Sequence, residues 1–294
     1  MNTKPLVPPY AALVIGIAAV SSSAIFVKLC ASSPGLIAAY RLLFTVLLMV
    51  PFMIAARSAV RKSLKTFTKL DHWLCLVSGV FLAFHFITWF ESLRYTSVAS
   101  SVVLVSLQPL FTFAGSIWIF KERLSQKSWF GGSLAIFGSV VIGWGDFSLG
   151  ANALYGDLLA LFSAFLVSVY WLIGQHVRTH ADSGTYTFLV YGFSTFTLFV
   201  YVLVRGEPLL SPPPMDWAWF LSLAVFPTLL GHSVFNWVIR WIPASVVSVS
   251  ILGEAIGAAI LAYFILGETV TLQQTVGGIL LLAGIFLFNR YHQG

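Results

Sequence analysis

"IFKERLSQKSWFGG", residues 119–132, and "ILGETVTLQQTVGG", residues 265–278, are two versions of one segment. Glu122 aligns with Glu268, and the pair Gly131 and Gly132 with Gly277 and Gly278, all at a separation of 146 residues. The first copy carries Lys121, Arg123 and Lys127, whereas the second carries no basic residue. Without a gap, the same register pairs Arg94 with Arg240, Val103 with Val249, Leu134 with Leu280 and Gly138 with Gly284. Upstream it pairs Ser22 with Ser168 and Tyr40 with Tyr186. The chain therefore divides into two related units, residues 1–147 and 148–294.

Composition says where such a duplication lives. With 59% hydrophobic and 9% charged residues and a mean hydropathy of +0.91, the chain has too little polar surface to cover a soluble globule. A membrane span needs about 20 mostly apolar residues. Charges, prolines and glycines punctuate ten such runs, near 10–29, 35–56, 73–93, 98–119, 128–145, 154–175, 185–204, 217–239, 244–266 and 271–289. The runs are continuously apolar, not alternating, which selects helices over barrel strands. Lys4 precedes an apolar run through Ile25 with no small-residue cleavage site, so this run is expected to be the first span and not a removed leader. Cys30 and Cys75 fall on distant levels of their spans, and no disulfide is expected between them.

Five spans per unit is an odd number, so the second unit must enter the membrane in the opposite orientation. The net charge of +6 is distributed accordingly. Lys4, Arg57, Arg61, Lys62, Lys65, Lys69, Lys121, Arg123, Lys127, Arg178, Arg240 and Arg290 fall on the side of the termini. Only Arg94 and Arg205 fall opposite, with Lys28 and Arg41 inside apolar runs near the outer ends of spans one and two, where the alternatives are snorkelling to the headgroups or binding a carboxylate or phosphate. The positive-inside rule then places both termini in the cytoplasm. It also explains the opening pair: the Glu122 turn lies inside, where lysines belong, and the Glu268 turn lies outside, and each Glu is expected to cap the helix that follows it. The run from Arg57 to Lys69 reads as a topology or lipid-headgroup signal, so no nucleic-acid partner is expected. Inverted repeats are a signature of secondary transporters, in which two pseudosymmetric halves exchange roles around a central site.

The stretches "FKERLSQKSWFGGSLAIFGSVVI" (120–142) and "LGETVTLQQTVGGILLLAGIFL" (266–287) resemble the last two spans of the EamA-type unit of the drug/metabolite transporter superfamily. "FESLRYTSVASSVVLVSLQPLFT" (90–112) is most similar to bacterial inner-membrane exporters of aromatic amino acids within it. The resemblance implies an all-α integral membrane protein of ten transmembrane helices, two inverted five-helix repeats around a central cavity. Spans one to four and six to nine would line the cavity, with spans five and ten at the periphery.

Candidate site residues follow from polarity at membrane depth. Glu254 falls mid-span, where a carboxylate costs about 3 kcal/mol or more to insert, and its repeat partner is Gln108. Together they mark the floor and ceiling of a central site, for exchanging a proton, receiving an ammonium or hydrogen bonding between helices. Pro109 follows Gln108 and frees the carbonyl of Val105, so a kink is expected there. His85 and Trp89 are four residues apart on one helical face, and His232, Phe235 and Asn236 form a similar group in span eight. Tyr170 and Trp171 add an aromatic face to span six. Trp73, Trp129, Trp217 and Trp219 lie near span ends and read as interfacial belts.

The chain is expected to be no enzyme and to need no metal or cofactor, since it has no closely spaced His, Cys and acid set and no P-loop, H-E-x-x-H or G-x-S-x-G motif. Gly143 to Asp146 resembles the G-x-G-D of intramembrane aspartyl proteases, but Asp146 and Asp157 are both expected in the loop between spans five and six. The expected function is export of small metabolites, aromatic and other neutral amino acids first, across a bacterial inner membrane by alternating access. The expected partners are a small-molecule substrate and the lipid bilayer, with the oligomeric state left open and a monomer compatible with the sequence. Transport of drugs, nucleobases or phosphorylated metabolites on the same fold, or a non-transporting membrane protein, are the alternatives.

Overall fold

The computed structural model describes residues 8–120, 125–178, 181–238 and 253–292, and every regular element among them is a helix. The first span is α1 (Pro9–Ser21) continued by α2 (Ser23–Leu29), and the second is α3 (Pro34–Ala55). A short basic helix not expected from hydropathy, α4 (Arg57–Thr66), leads into the third span, α5 (Lys69–Ser92). Then come α6 (Val98–Val105) with α7 (Gln108–Phe120), α8 (Gln126–Leu149), α9 (Ala151–Val177) and α10 (Ser183–Val204). Span eight joins α11 (Pro214–Leu223), a π-helical segment Ala224–His232 and α12 (Ser233–Val238). Span nine is described from α13 (Gly253–Leu261) into a second π segment, Ala262–Leu266, and α14 (Leu272–His292) is the tenth. Five stretches, Pro9–Leu29, Pro34–Ala55, Lys69–Ser92, Ala151–Val177 and Ser183–Val204, are long and apolar enough to cross a membrane by length and composition. Lys4, Glu122, Arg240, Val249 and the first part of the expected ninth span lie outside the described residues.

Helix starts follow capping chemistry, because the first amides of a helix have no partner within it. Ser33 accepts from the Leu36 amide, Thr68 and Asp71 form a reciprocal capping box, and Asp182 accepts from the Thr185 amide at 2.9 Å. Helix breaks follow proline chemistry. The Val105–Gln108 break falls where Pro109 was expected to kink the span. In span eight the Pro227 ring excludes the carbonyl of Leu223, four residues back, from the helical ladder. That carbonyl instead accepts the hydroxyl of Thr228 at 2.9 Å, and the helix runs with π spacing through this point.

A glycine of each opening segment meets a glycine further along the other unit's last helix. A Cβ on Gly138 would lie 2.6 Å from the carbonyl oxygen of Gly277, and one on Gly284 2.7 Å from that of Gly131. Backbone therefore rests on backbone, and only glycine fits. Gly131 faces Gly284 and Gly138 faces Gly277, so α8 and α14 cross antiparallel. Because the repeat maps Gly131 onto Gly277 and Gly138 onto Gly284, this seam is two-fold symmetric, and the two units are inverted relative to each other. The remaining spans pack inward: α9 against α5, α6 and α7, α10 against α3 and α5, and α1 against the first π segment and α13.

Glu268 was expected to cap the helix after it. That helix is already capped by Thr271 and Gln274, each accepting the other's amide at 3.0–3.2 Å. With Gly267 in the left-handed region at φ 69° turning the chain, Glu268 crosses to the first unit instead. It accepts from the Val98 amide at 2.8 Å and pairs with Lys28 at 2.7 Å. Lys28 therefore does not run free to the headgroups. Nearby, Asp216 accepts from the amides of Ala31 and Ser32, and Ser33 donates to Glu207. These bonds tie together the loops at one end of the bundle.

Candidate functional site

The repeat places two matching bonds at mid-depth. Ser168 on α9 donates to the backbone carbonyl of Gln108 at 2.8 Å, and Ser21, the last residue of α1, donates to that of Glu254 at 3.3 Å. Gln108 and Glu254 are repeat partners, and Ser168 corresponds to Ser22, so the first unit uses the neighbouring serine. Ser21 and Gly257 are also in close approach, since a Cβ on Gly257 would meet the Ser21 hydroxyl. The three serines 21–23 form the joint between α1 and α2.

Ser23 on that joint binds a residue that hydropathy reading misplaces. Arg41 does not snorkel: it lies two turns into α3, is 1% exposed, and is the largest fully buried side chain among the described residues. Its Nη1 donates to Ser23 Oγ and its Nε to Thr228 Oγ1, both at 3.1 Å. Thr228 has spent its own proton on the Leu223 carbonyl, which leaves an oxygen lone pair for Arg41. The guanidinium carbon lies 4.6 Å from the centroid of Phe86 and 5.8 Å from that of Phe90, a stacking arrangement suited to a desolvated guanidinium. Arg41 interacts electrostatically with Glu254 and Tyr191, and with His85 and His232.

Of the expected residues, Glu254, His85 and His232 thus gather around a cation that sequence reading had left at the edge. His85 and Trp89 share a face as expected, stacked at 5.8 Å with 23° between planes. His85 Nδ1 is held at 3.0 Å from the Ser163 carbonyl oxygen and 2.8 Å from the Ser163 hydroxyl. The indole Nε1 of Trp89 is buried without a hydrogen-bond partner among the described residues. His232 and Phe235 share a face as expected, their rings edge to face at 6.4 Å, and Phe235 also packs on Gly16 of α1. Asn236 lies in α12, but its side chain is outside the described residues. Tyr170 and Trp171 are neighbours at 5.1 Å and sit nearer the other end of α9, where Trp171 is 5.9 Å from Arg178. Tyr191 links the two groups, interacting with both Arg41 and Tyr170.

A pocket of about 620 Å³ opens at the Lys28 end, lined in part by Lys28, Ser33, Ile37, Phe90 and Arg94. Phe90 thereby belongs both to the pocket wall and to the surroundings of Arg41. Among the described residues no group of three His, Cys, Asp or Glu side chains is placed to hold a metal. The two aspartates expected in a loop are helical: Asp146 lies in α8 and Asp157 in α9, where Thr96 donates to it at 2.9 Å. Apolar length had been cut short at these charges, but α9 starts at Ala151 and the Thr96 hydroxyl satisfies Asp157 inside it.

Residues 8–144 and 154–290 each match the EamA-like transporter family. The chain belongs to that family. Two copies of the EamA unit account for the repeat and the seam, and make this a multi-pass membrane transporter fold. The uncharacterized transporter YetK of Bacillus subtilis is 25% identical over 286 residues, covering 95% of this chain and 86% of its own. A probable amino-acid metabolite efflux pump of Salmonella typhimurium is 27% identical over 231 residues, covering 74% and 77%. A crystal structure shares the fold with a TM-score of 0.63 at 21% identity, over 95% of this chain and 96% of its own.

Proposed function

We propose that this EamA-like chain exports aromatic and other neutral amino acids across a bacterial inner membrane by alternating access, with both termini cytoplasmic and residues 1–147 and 148–294 as the two exchanging halves. The observation that carries the reading is the mid-depth arrangement, in which repeat partners Gln108 and Glu254 are each held by a serine of the opposite unit. An acid at that depth, surrounded by buried ionisable side chains, is the ordinary mark of a substrate or proton path. In this reading Glu254 and Gln108 meet the polar head of the substrate or a proton, His85, His232 and Asn236 add hydrogen-bonding groups, and Trp89, Tyr170 and Trp171 pack its apolar part. The similarity to the Salmonella efflux pump supports the substrate class and the direction. Phosphorylated metabolites fit less well, because among the described residues Arg41 is the single central cation and Lys28 is committed to Glu268.

The test is flux of labelled phenylalanine, tryptophan, threonine and methionine into proteoliposomes, with and without a pH gradient. Saturable flux of the aromatic pair is expected. No flux of any of the four removes the amino acid assignment, and a pH-gradient response that persists in Glu254→Gln removes Glu254 as the proton carrier.

A further inference from the structure

Arg41 is a full positive charge in the middle of an apolar bundle, and its bonding is incomplete. A guanidinium carries five N–H donors. Among the described residues only Nε and Nη1 find protein acceptors, and both bonds go to neutral hydroxyls. No carboxylate lies within 4 Å of it among the described residues, where the ion pairs are Lys28 with Glu268 and Arg94 with Glu91. Glu254 interacts with it from beyond that distance. Burying a charge without a close counter-ion is costly and is seldom kept for packing alone. A second donor in the same region is also unspent: Trp89, 6% exposed and stacked on His85, buries an indole N–H with no acceptor among the described residues. Both side chains border α5, Arg41 resting on Phe86 and Phe90 and Trp89 lying between them in sequence. A pocket at the Lys28 end has Phe90 as one of its walls.

We propose that Arg41 is the carboxylate anchor of the transported molecule, taking one carboxylate on the free edge of its guanidinium formed by Nη1 and Nη2, with Glu254 facing the ammonium of the same zwitterion. The fork matches a carboxylate in shape as well as charge. Thr228 and Ser23 are positioning residues, holding the fork from its other side so that the free edge faces inward. The π segment at Pro227 is what presents Thr228 as an acceptor. The anchor rests on the amino acid reading above and narrows it to substrates with a free carboxylate.

Binding of four probes to the full chain in lipid nanodiscs tests this: phenylalanine, phenylalaninamide, phenethylamine and 3-phenylpropionate. Phenylalanine is expected to bind at least about tenfold more tightly than the amide and the amine, the scale of one lost hydrogen bond to a charged group. In Arg41→Gln the acid and the amide are expected to bind alike, and Arg41→Lys is expected to keep part of the preference. Binding of all four without regard to the carboxylate overturns the anchor and leaves an amine- or ring-recognising transporter standing. Binding of none overturns the amino acid reading and the anchor with it. An acid preference that persists in a folded Arg41→Gln assigns the carboxylate to another residue and overturns the proposal. Should Arg41→Gln fail to fold, the wild-type ranking and Arg41→Lys decide: no ranking, or an unchanged one in Arg41→Lys, counts against it.

Discussion

The seam between α8 and α14 and the group around Arg41 are built from the same duplication and have ended in opposite states. At the seam each unit contributes the same glycines in the same places, and exchanging the units reproduces the interface. At the centre the symmetry is broken. Glu254 faces a glutamine as its repeat partner, and the positions equivalent to Arg41 and Lys28 are Thr187 and Gly174. Symmetry is retained where backbone touches backbone and any side chain would collide. It is lost where two faces of one site must offer different chemistry to the two ends of a substrate.

The comparison is sharpest at the seam. Gly138→Leu places a side chain where even a Cβ would sit 2.5 Å from the Leu281 amide nitrogen, and loss of the folded protein is expected, read as absent monodisperse protein in detergent. Gly284→Ala is expected to cost about 1–3 kcal/mol as overpacking. Gly192→Ala on α10, with nothing within 4 Å of the added methyl, is expected to be neutral or to stabilise by up to about 1 kcal/mol. Equal melting temperatures for the two alanine variants would break the account of the seam.

At the centre, Thr228→Val removes the acceptor of Arg41 Nε and leaves the Leu223 carbonyl unpaired, whereas Thr228→Ser keeps both bonds. Loss of a hydrogen bond to a charged group is worth about 1.5–3 kcal/mol, so flux is expected to fall about tenfold or more in the valine variant and to stay near wild type in the serine one. Equal flux in the two would show that the Arg41 bond does not position anything the substrate feels.

How far the fold could be read from sequence follows from the same division. The seam was legible because repeat register, glycine and the cost of a Cβ are local and additive, and the Val105–Gln108 break was legible because proline acts on its own helix. For Arg41 the snorkelling alternative fails: hydropathy counts residues from a span end and treats any long cation near it as able to reach water, whereas this side chain is buried. Nothing in the string around residue 41 says that Ser23 and Thr228, 18 and 187 residues away, supply the acceptors. Thr228 itself was silent because its role depends on a π turn set by Pro227. Glu268 was misassigned for a related reason: Thr271 and Gln274 form a capping box visible in sequence, and its presence released the glutamate for Lys28.

A smaller effect is expected at that ion pair. Lys28 and Glu268 are each about a quarter exposed, and a pair of that kind contributes about 1 kcal/mol or less. A double-mutant cycle with Lys28→Met and Glu268→Gln, read by thermal melting, should give a coupling of that size that shrinks in high salt. A coupling several times larger would make the outer tie, not the glycine seam, the stronger link between the units.

The central claim is that the seam holds the molecule together while the middle carries the substrate. Its most direct test is flux per folded molecule and melting temperature, measured side by side for Glu254→Gln and Gly284→Ala in proteoliposomes. Glu254→Gln is expected to lose flux with its melting temperature nearly unchanged, and Gly284→Ala to lower the melting temperature while the protein that remains folded transports normally. Normal flux in Glu254→Gln, together with flux lost in a thermally undisturbed Gly284→Ala, would contradict the account.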